Sequence, residues 1–143
     1  MSKDTSDPDH IQFSIASDLR EVRSAAESIR DFLVRRGCAV SDVSDCELAL
    51  VEACNNAILY ARPESQQRVE IEAKCGIHAI ELRITDHNPG FEWPEKAVLP
   101  APDSESGRGL FLIQSVMDMA KYERSLAGNT LLLQKIRSQS GAE

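Results

Sequence analysis

Two short stretches of strict alternation constrain this chain more than any other feature. Val69, Ile71, Ala73 and Cys75 alternate with Glu70, Glu72 and Lys74, and Ile80, Leu82 and Ile84 alternate with Glu81, Arg83 and Thr85. Successive side chains of a strand point to opposite faces, so each stretch has one apolar and one charged face. With Gly76 at the turn between them, the pair predicts an antiparallel hairpin whose apolar face must be covered by something else.

The cover is written in two helical patterns upstream. Leu19, Val22, Ala26, Ile29 and Leu33 recur at steps of three and four, with Ser17 as the expected cap and Gly37 as the expected stop. A second helix is expected to start near Ser44, where Ser44 and Glu47 have capping-box spacing, and to end at Pro63. Val43, Cys46, Leu50, Ala53, Ala57 and Tyr60 form its main stripe. Leu48, Val51, Ile58 and Leu59 make other faces apolar too, which predicts burial on most sides.

Ile11, Phe13 and Ile15 predict an edge strand before the first helix. Residues 87–106 carry Pro89, Pro94, Pro100 and Pro102 without a clean period, and predict a long functional loop or lid. A third helix is expected from Arg108 to about Met119. Two last strands, near residues 122–126 and 130–136, are expected to meet at Gly128-Asn129. The predicted fold class is α+β: a two-layer sandwich of a mostly antiparallel mixed sheet with helices on one face. Residues 1–10 read as a loose arm, 11–137 as one domain and 138–143 as a tail.

Charge narrows the function. The chain carries 23 acidic against 16 basic residues, a net charge of -7, with no dense basic run. That excludes the electrostatic footprint of a nucleic-acid binder. No apolar run has the length of a membrane span, and no leader segment is read at the start, so a cytoplasmic protein is expected. Cys38, Cys46, Cys54 and Cys75 form no CxxC pair, which argues against zinc and for small buried thiols.

Three places set polar residues against the apolar grain. Glu52 and Asn56 lie one helical turn apart among apolar neighbours. A buried unpaired amide costs roughly 2–7 kcal/mol, so the pair reads either as facing a ligand such as Mg2+, with Glu52 as a general base, or as an exposed pair on a helix edge. Asp86, at the end of an alternating run, opens the segment Asp86-His87-Asn88-Pro89-Gly90-Phe91. Its carboxylate can accept from the exocyclic amine of a base while Asn88 and Gly90 let the chain turn closely beside a flat ligand; the same residues also make an ordinary turn. Gly107-Arg108-Gly109-Leu110 opens the third helix, where bare N–H groups and the helix dipole suit a phosphate, or where two glycines make a hinge.

Together, in this order, these segments resemble the GHKL ATPase superfamily (the Bergerat ATP-binding fold), and within it the anti-sigma-factor serine/threonine kinases. The resemblance runs from Ile11 to Ile136. Glu52-Ala53-Cys54-Asn55-Asn56 resembles the family's N box, the segment from Asp86 to Phe91 its G1 box, and Ser106 through Asp118 its G2 box and helix. By that resemblance Glu52 is the catalytic base and Asn56 the Mg2+ ligand. Asp86 reads the adenine amine, Asn88 and Gly90 lie beside the base, and Gly107, Arg108, Gly109 and Leu110 line the phosphates. Gly128-Asn129-Thr130 resembles the last hairpin, with Thr130 supporting the adenine contact. Asn88 stands where the family usually has glycine, Arg108 where it often has an apolar residue, and Tyr60 where many relatives have histidine.

The resemblance implies ATP and Mg2+, a STAS-type anti-anti-sigma protein as phosphate acceptor, a sigma factor as the alternative partner, and a homodimer. Two rivals share the fold: a nucleotide-binding module that transfers nothing, and a positive regulator that phosphorylates a scaffold protein. A histidine kinase fits poorly, because His10, His78 and His87 fall in the arm, a strand turn and the lid rather than on a dimerising helix.

Overall fold

A computed structural model of the protein describes residues 9–59, 67–87, 108–125 and 128–138. The order is β1 (His10–Ala16), a 3-10 turn (Leu19–Glu21), α1 (Val22–Arg35), α2 (Val40–Leu59), β2 (Arg68–Cys75), β3 (Ala79–Asp86), α3 (Arg108–Val116), β4 (Met119–Ser125) and β5 (Gly128–Ile136). The predicted lid, Tyr60, Pro63, most of the arm and the last five residues lie outside the described residues.

The five strands form one sheet in the order β1-β2-β3-β5-β4. Every neighbouring pair is antiparallel, so the sheet is not mixed as expected. The alternation decides which face is buried. Phe13, Ile71, Ile84, Leu131 and Tyr122 stand in one row across the sheet, and Ile11, Ala73, Leu82, Leu133 and Ala120 in the next. These rows face the core, with Ile71, Leu82 and Leu133 fully buried. The opposite face carries Glu70, Glu72, Arg83 and Lys121. There Glu72 accepts from His10 at 2.6 Å and pairs with Arg83 at 3.6 Å.

The helices supply the second layer. Ile29 and Leu33 of α1, Cys46, Leu50 and Cys54 of α2, and Ile113 of α3 all join the sheet residues in one cluster. Each large aliphatic side chain buried in this way contributes about 1.5–3 kcal/mol. α1 ends as the sequence predicts. Gly37 takes φ 78°, its N–H reaches the Val34 carbonyl at 3.0 Å, and Cys38 N–H reaches that of Leu33 at 3.2 Å. This paired closure needs a left-handed residue, which glycine adopts without strain.

Four boundaries differ from expectation, each for a physical reason. Ser17 does not cap α1. Asp18 caps the 3-10 turn by accepting from Arg20 N–H at 2.9 Å, while Ser17 Oγ donates to the Gln67 carbonyl. The tighter pitch of that turn carries Leu19 off the α1 stripe, leaving it 62% exposed. α2 starts at Val40, not near Ser44. Asp42 in its first turn is 1% exposed and accepts from Ser138 N–H at 2.6 Å and Ser138 Oγ at 3.0 Å. Ser44 is exposed within the helix, and Glu47 pairs with Arg30 of α1 at 3.1 Å.

α3 stops at Val116 instead of Met119. Asp118 N–H turns back to the Gln134 carbonyl at 2.9 Å, and Lys135 Nζ caps the helix at the Val116 carbonyl at 2.7 Å while pairing with Asp45 of α2 at 2.8 Å. Gly128 and Asn129 are not the meeting point of the last two strands but already belong to β5, paired with Ser125 and Arg124 of β4.

Gly128 sits at φ 141°, and a Cβ there would lie 3.0 Å from the Asp86 carbonyl oxygen and 3.1 Å from the His87 ring. Backbone strain and a backbone clash therefore coincide. Gly128→Ala is expected to cost about 1–3 kcal/mol, read as a lower midpoint in denaturant unfolding. An unchanged midpoint would mean that β5 does not approach β3 this closely.

Candidate nucleotide site

The site is assembled from α2, the first turn of α3 and the ends of β3 and β5. Glu52 and Asn56 share a face of α2 because four residues make about one turn. That face meets α3 at Gly109. A Cβ built on Gly109 would lie 2.7 Å from Glu52 Oε1, 3.6 Å from Glu52 Cβ and 3.7 Å from Asn56 Nδ2. The carboxylate thus occupies the space a side chain at 109 would need.

Asn56 carries the clearest sign of a missing ligand. Its Nδ2 is buried and has no hydrogen-bond partner among the described residues. An unsatisfied buried amide costs about 1–3 kcal/mol, and native proteins keep few of them. Oxygen and nitrogen of an amide exchange by a flip of the terminal torsion, so the same buried position can present Oδ1 to a cation. Among the described residues no cluster of three or more His, Cys, Asp or Glu groups could hold a metal. An ion at Asn56 would therefore take its other ligands from water and from a bound anion, the usual habit of Mg2+. The orphaned amide, with the Glu52 carboxylate one turn away, fits such an ion.

Asn56 also lines a cavity with Ala53, Ala57, Ile84, Asp86, Tyr122 and Leu131. Two alanines on α2 face Ile84 and Leu131 of the sheet there and leave a narrow slot, with room for about one water molecule. Asp86 ends β3 at its rim, 8% exposed. Asn129, 4% exposed and directly opposite on β5, donates from Nδ2 to Asp86 Oδ1 at 3.0 Å. That bond fixes the plane of the carboxylate. Cys54 lies beside the N-box residues in sequence, and burial pushes its thiol up to about 12, so it stays protonated and inert.

The structure brings together Glu52, Asn56, Asp86 and Gly109, and Leu110 is buried behind them. Arg108 begins α3, but its side chain, like Asn88, Gly90 and Gly107, lies outside what is described. Thr130 falls elsewhere. It projects from the opposite face of the sheet, where its Oγ1 meets Thr85 Oγ1 at 3.1 Å. Asn129 stands against Asp86 in its place. Strand parity is the cause: one step along β5 changes the face. Alternation of buried Asn129, Leu131 and Leu133 would have revealed this, but the unbroken run Leu131-Leu132-Leu133 hides the parity. In the sequence Ala53 and Ala57 read as packing alone, and position 122 only as the start of a strand.

The chain matches the family of histidine kinase-like ATPase domains over residues 15–135. It is 25% identical over 138 residues to the serine-protein kinase RsbW of Bacillus velezensis, covering 89% of this chain and 85% of that relative. It is 28% identical over 110 residues to the RsbW of Bacillus thuringiensis, covering 71% and 68%. Two solved structures share the fold. The RsbU and RsbW domains of a Mycobacterium tuberculosis protein superpose with a TM-score of 0.67 at 16% identity, over 90% of this chain and 33% of that longer one. The Acinetobacter baumannii histidine kinase AdeS gives 0.51 at 15% identity, over 89% and 68%.

The contact at Gly109 generates a specific expectation. Gly109→Ala meets the tip of a movable side chain, so the fold should survive with its unfolding midpoint nearly unchanged. The Glu52 carboxylate must swing away, and a displacement near 1 Å costs on the order of 100-fold in a positioned reaction. With Glu52 as the catalytic base that the resemblance leads one to expect, turnover of ATP by Gly109→Ala should collapse while nucleotide binding, read by calorimetry, falls far less.

Proposed function

Because the chain belongs to the histidine kinase-like ATPase family, we propose that it is an ATP-dependent serine/threonine protein kinase and anti-sigma factor. Its substrate is a STAS-type anti-anti-sigma protein, and a sigma factor is its alternative partner. One observation carries the reading: Glu52 and Asn56 both meet the first turn of α3 at Gly109, and Asn56 also lines a cavity with Asp86.

In this reading the adenine ring lies in the slot between α2 and the sheet, and its amine donates to Asp86. The triphosphate runs toward the start of α3, where Gly107 to Leu110 offer N–H groups and the positive end of the helix dipole. Asn56 would hold Mg2+, which when bound offsets the phosphate charge. Glu52 accepts the proton of a serine or threonine hydroxyl on the partner. The hydroxyl oxygen then bonds to the γ-phosphorus as the bond to the β–γ bridging oxygen breaks, and ADP leaves with that electron pair. Residues 11–137 act as the single kinase domain.

The two RsbW relatives named as serine-protein kinases support the choice of acceptor residue. No helix among the described residues is long and apolar enough to cross a membrane. The protein we propose is cytoplasmic and homodimeric. A new phosphate on the first partner weakens that complex by charge and desolvation, which frees the kinase for the sigma factor.

The test is intact-mass analysis of a STAS partner mixed with the protein and Mg-ATP. The partner should gain one phosphate. Glu52→Gln should slow this gain by roughly 100- to 10,000-fold, the usual worth of a general base, while ATP still binds. Chelation of divalent cations should stop it as well. Nucleotide binding without any mass gain would instead identify a binding module, and recovery of a phosphatase rather than a sigma factor from native cells would identify a positive regulator.

A further inference from the structure

At the end of α2 remote from Glu52, two thiols meet. Cys38 Sγ lies 3.5 Å from Cys75 Sγ, close enough for a weak hydrogen bond between them. Cys38 sits in the connection between α1 and α2, and Cys75 ends β2, 37 residues later. Cys38 is partly exposed and Cys75 is buried. We propose that Cys38 and Cys75 form a modification site, a reversible disulfide made by exchange with a low-molecular-weight disulfide.

The surroundings hold both residues in place. Cys38 N–H is bonded to the Leu33 carbonyl and Cys75 N–H to that of Asp9. Arg137 donates to the carbonyls of Gly76 and Arg36 at 2.6 and 3.3 Å, clamping the residue after Cys75 to the end of α1. A disulfide needs its sulfurs at about 2.05 Å, so the pair must close by roughly 1.5 Å. Rotation of the Cys38 side chain in its partly open position can provide that. Cys46 and Cys54 are fully buried; Cys46 feels the Cys38 thiol only through space, whereas Cys75 is in hydrogen-bond contact with it.

The exchange balances in two steps. The Cys38 thiolate attacks one sulfur of the small disulfide, and one small thiol leaves. The Cys75 thiolate then attacks the Cys38 sulfur and expels the second. The protein loses two protons and two electrons, and the small disulfide takes up both to become two thiols. Burial, and next the hydrogen bond to Cys75, pushes the Cys38 thiol up to about 12; Asp42 adds to the rise and Arg137 opposes it. The thiolate is scarce at neutral pH, so the reaction is slow and should quicken about tenfold per pH unit.

The bridge would tie the α1–α2 connection to the sheet. Val40 lies twelve residues before Glu52, about 18 Å along the helix. Bridging should therefore raise stability without altering nucleotide binding.

The experiment treats the full chain with oxidised glutathione and maps the product by mass spectrometry without reduction. The expected product is lighter by two hydrogen atoms and yields one linked peptide pair containing Cys38 and Cys75. Its thermal midpoint should rise by about 10 °C and return on reduction. Cys38→Ser should give neither bridge nor shift; if that variant does not fold, the wild-type peptide map decides alone. A stable glutathione adduct at Cys38 with no internal bridge, a bridge that includes Cys46, or a bridge between two chains would each overturn the assignment.

Discussion

A carboxylate resting where a side chain would otherwise be is the contact on which this architecture turns. Glu52 Oε1 lies 2.7 Å from the place a Cβ at residue 109 would take. α3 can approach α2 this closely because its second residue is glycine. The approach does two things at once. It lays the positive end of a helix beside a carboxylate, an arrangement favoured by the dipole. It also buries the Asn56 amide without giving it a partner among the described residues. A contact that stabilises one polar group and strands its neighbour is poor design for a core, and good design for a pocket that a charged ligand completes.

The two ends of α2 are treated differently. Toward its start, Asp42 holds Ser138, Asp45 holds Lys135 and Glu47 holds Arg30, so three acidic side chains tie the helix to the C-terminal segment, to β5 and to α1. Lys135 also caps α3, so both helices of the site are anchored at a common point remote from it. Toward the other end of α2, Glu52 and Asn56 make no ion pair among the described residues. Ala53 and Ala57 keep a slot open above Ile84 and Leu131. Rigidity is concentrated at one pole and ligand space at the other, which is how a small two-layer domain can hold a site without collapsing into it.

Much of this was legible in the sequence, because much of it is periodic. Strict alternation fixed β2 and β3 and their buried face, and steps of three and four fixed the core side of α1 and α2. Glu52, Asn56, Asp86 and Gly109 were legible as polar or small residues set in apolar runs. What could not be read depends on contacts distant in the chain. Asp18 and Ser17 are both good caps, and the choice falls to the Gln67 carbonyl, which takes Ser17 away. Ser44 and Glu47 have ideal capping spacing, yet α2 begins earlier because Asp42 is satisfied by Ser138, 96 residues on. Local signals describe what a segment can do; a distant partner decides what it does.

Asn129 extends that lesson into the chemistry. The family resemblance points to Thr130 as the residue that supports the adenine contact. The fold sends Thr130 to the charged face and brings an amide to Asp86 instead. An amide differs from a hydroxyl in a way that matters here. It donates through nitrogen and accepts through a separate oxygen held in the same plane. One end fixes the carboxylate through nitrogen, so the position of Asp86 is set jointly by two strands. That position rests on how β3 and β5 are registered, and Gly128, whose missing side chain leaves room for the Asp86 carbonyl, lets the two strands close there.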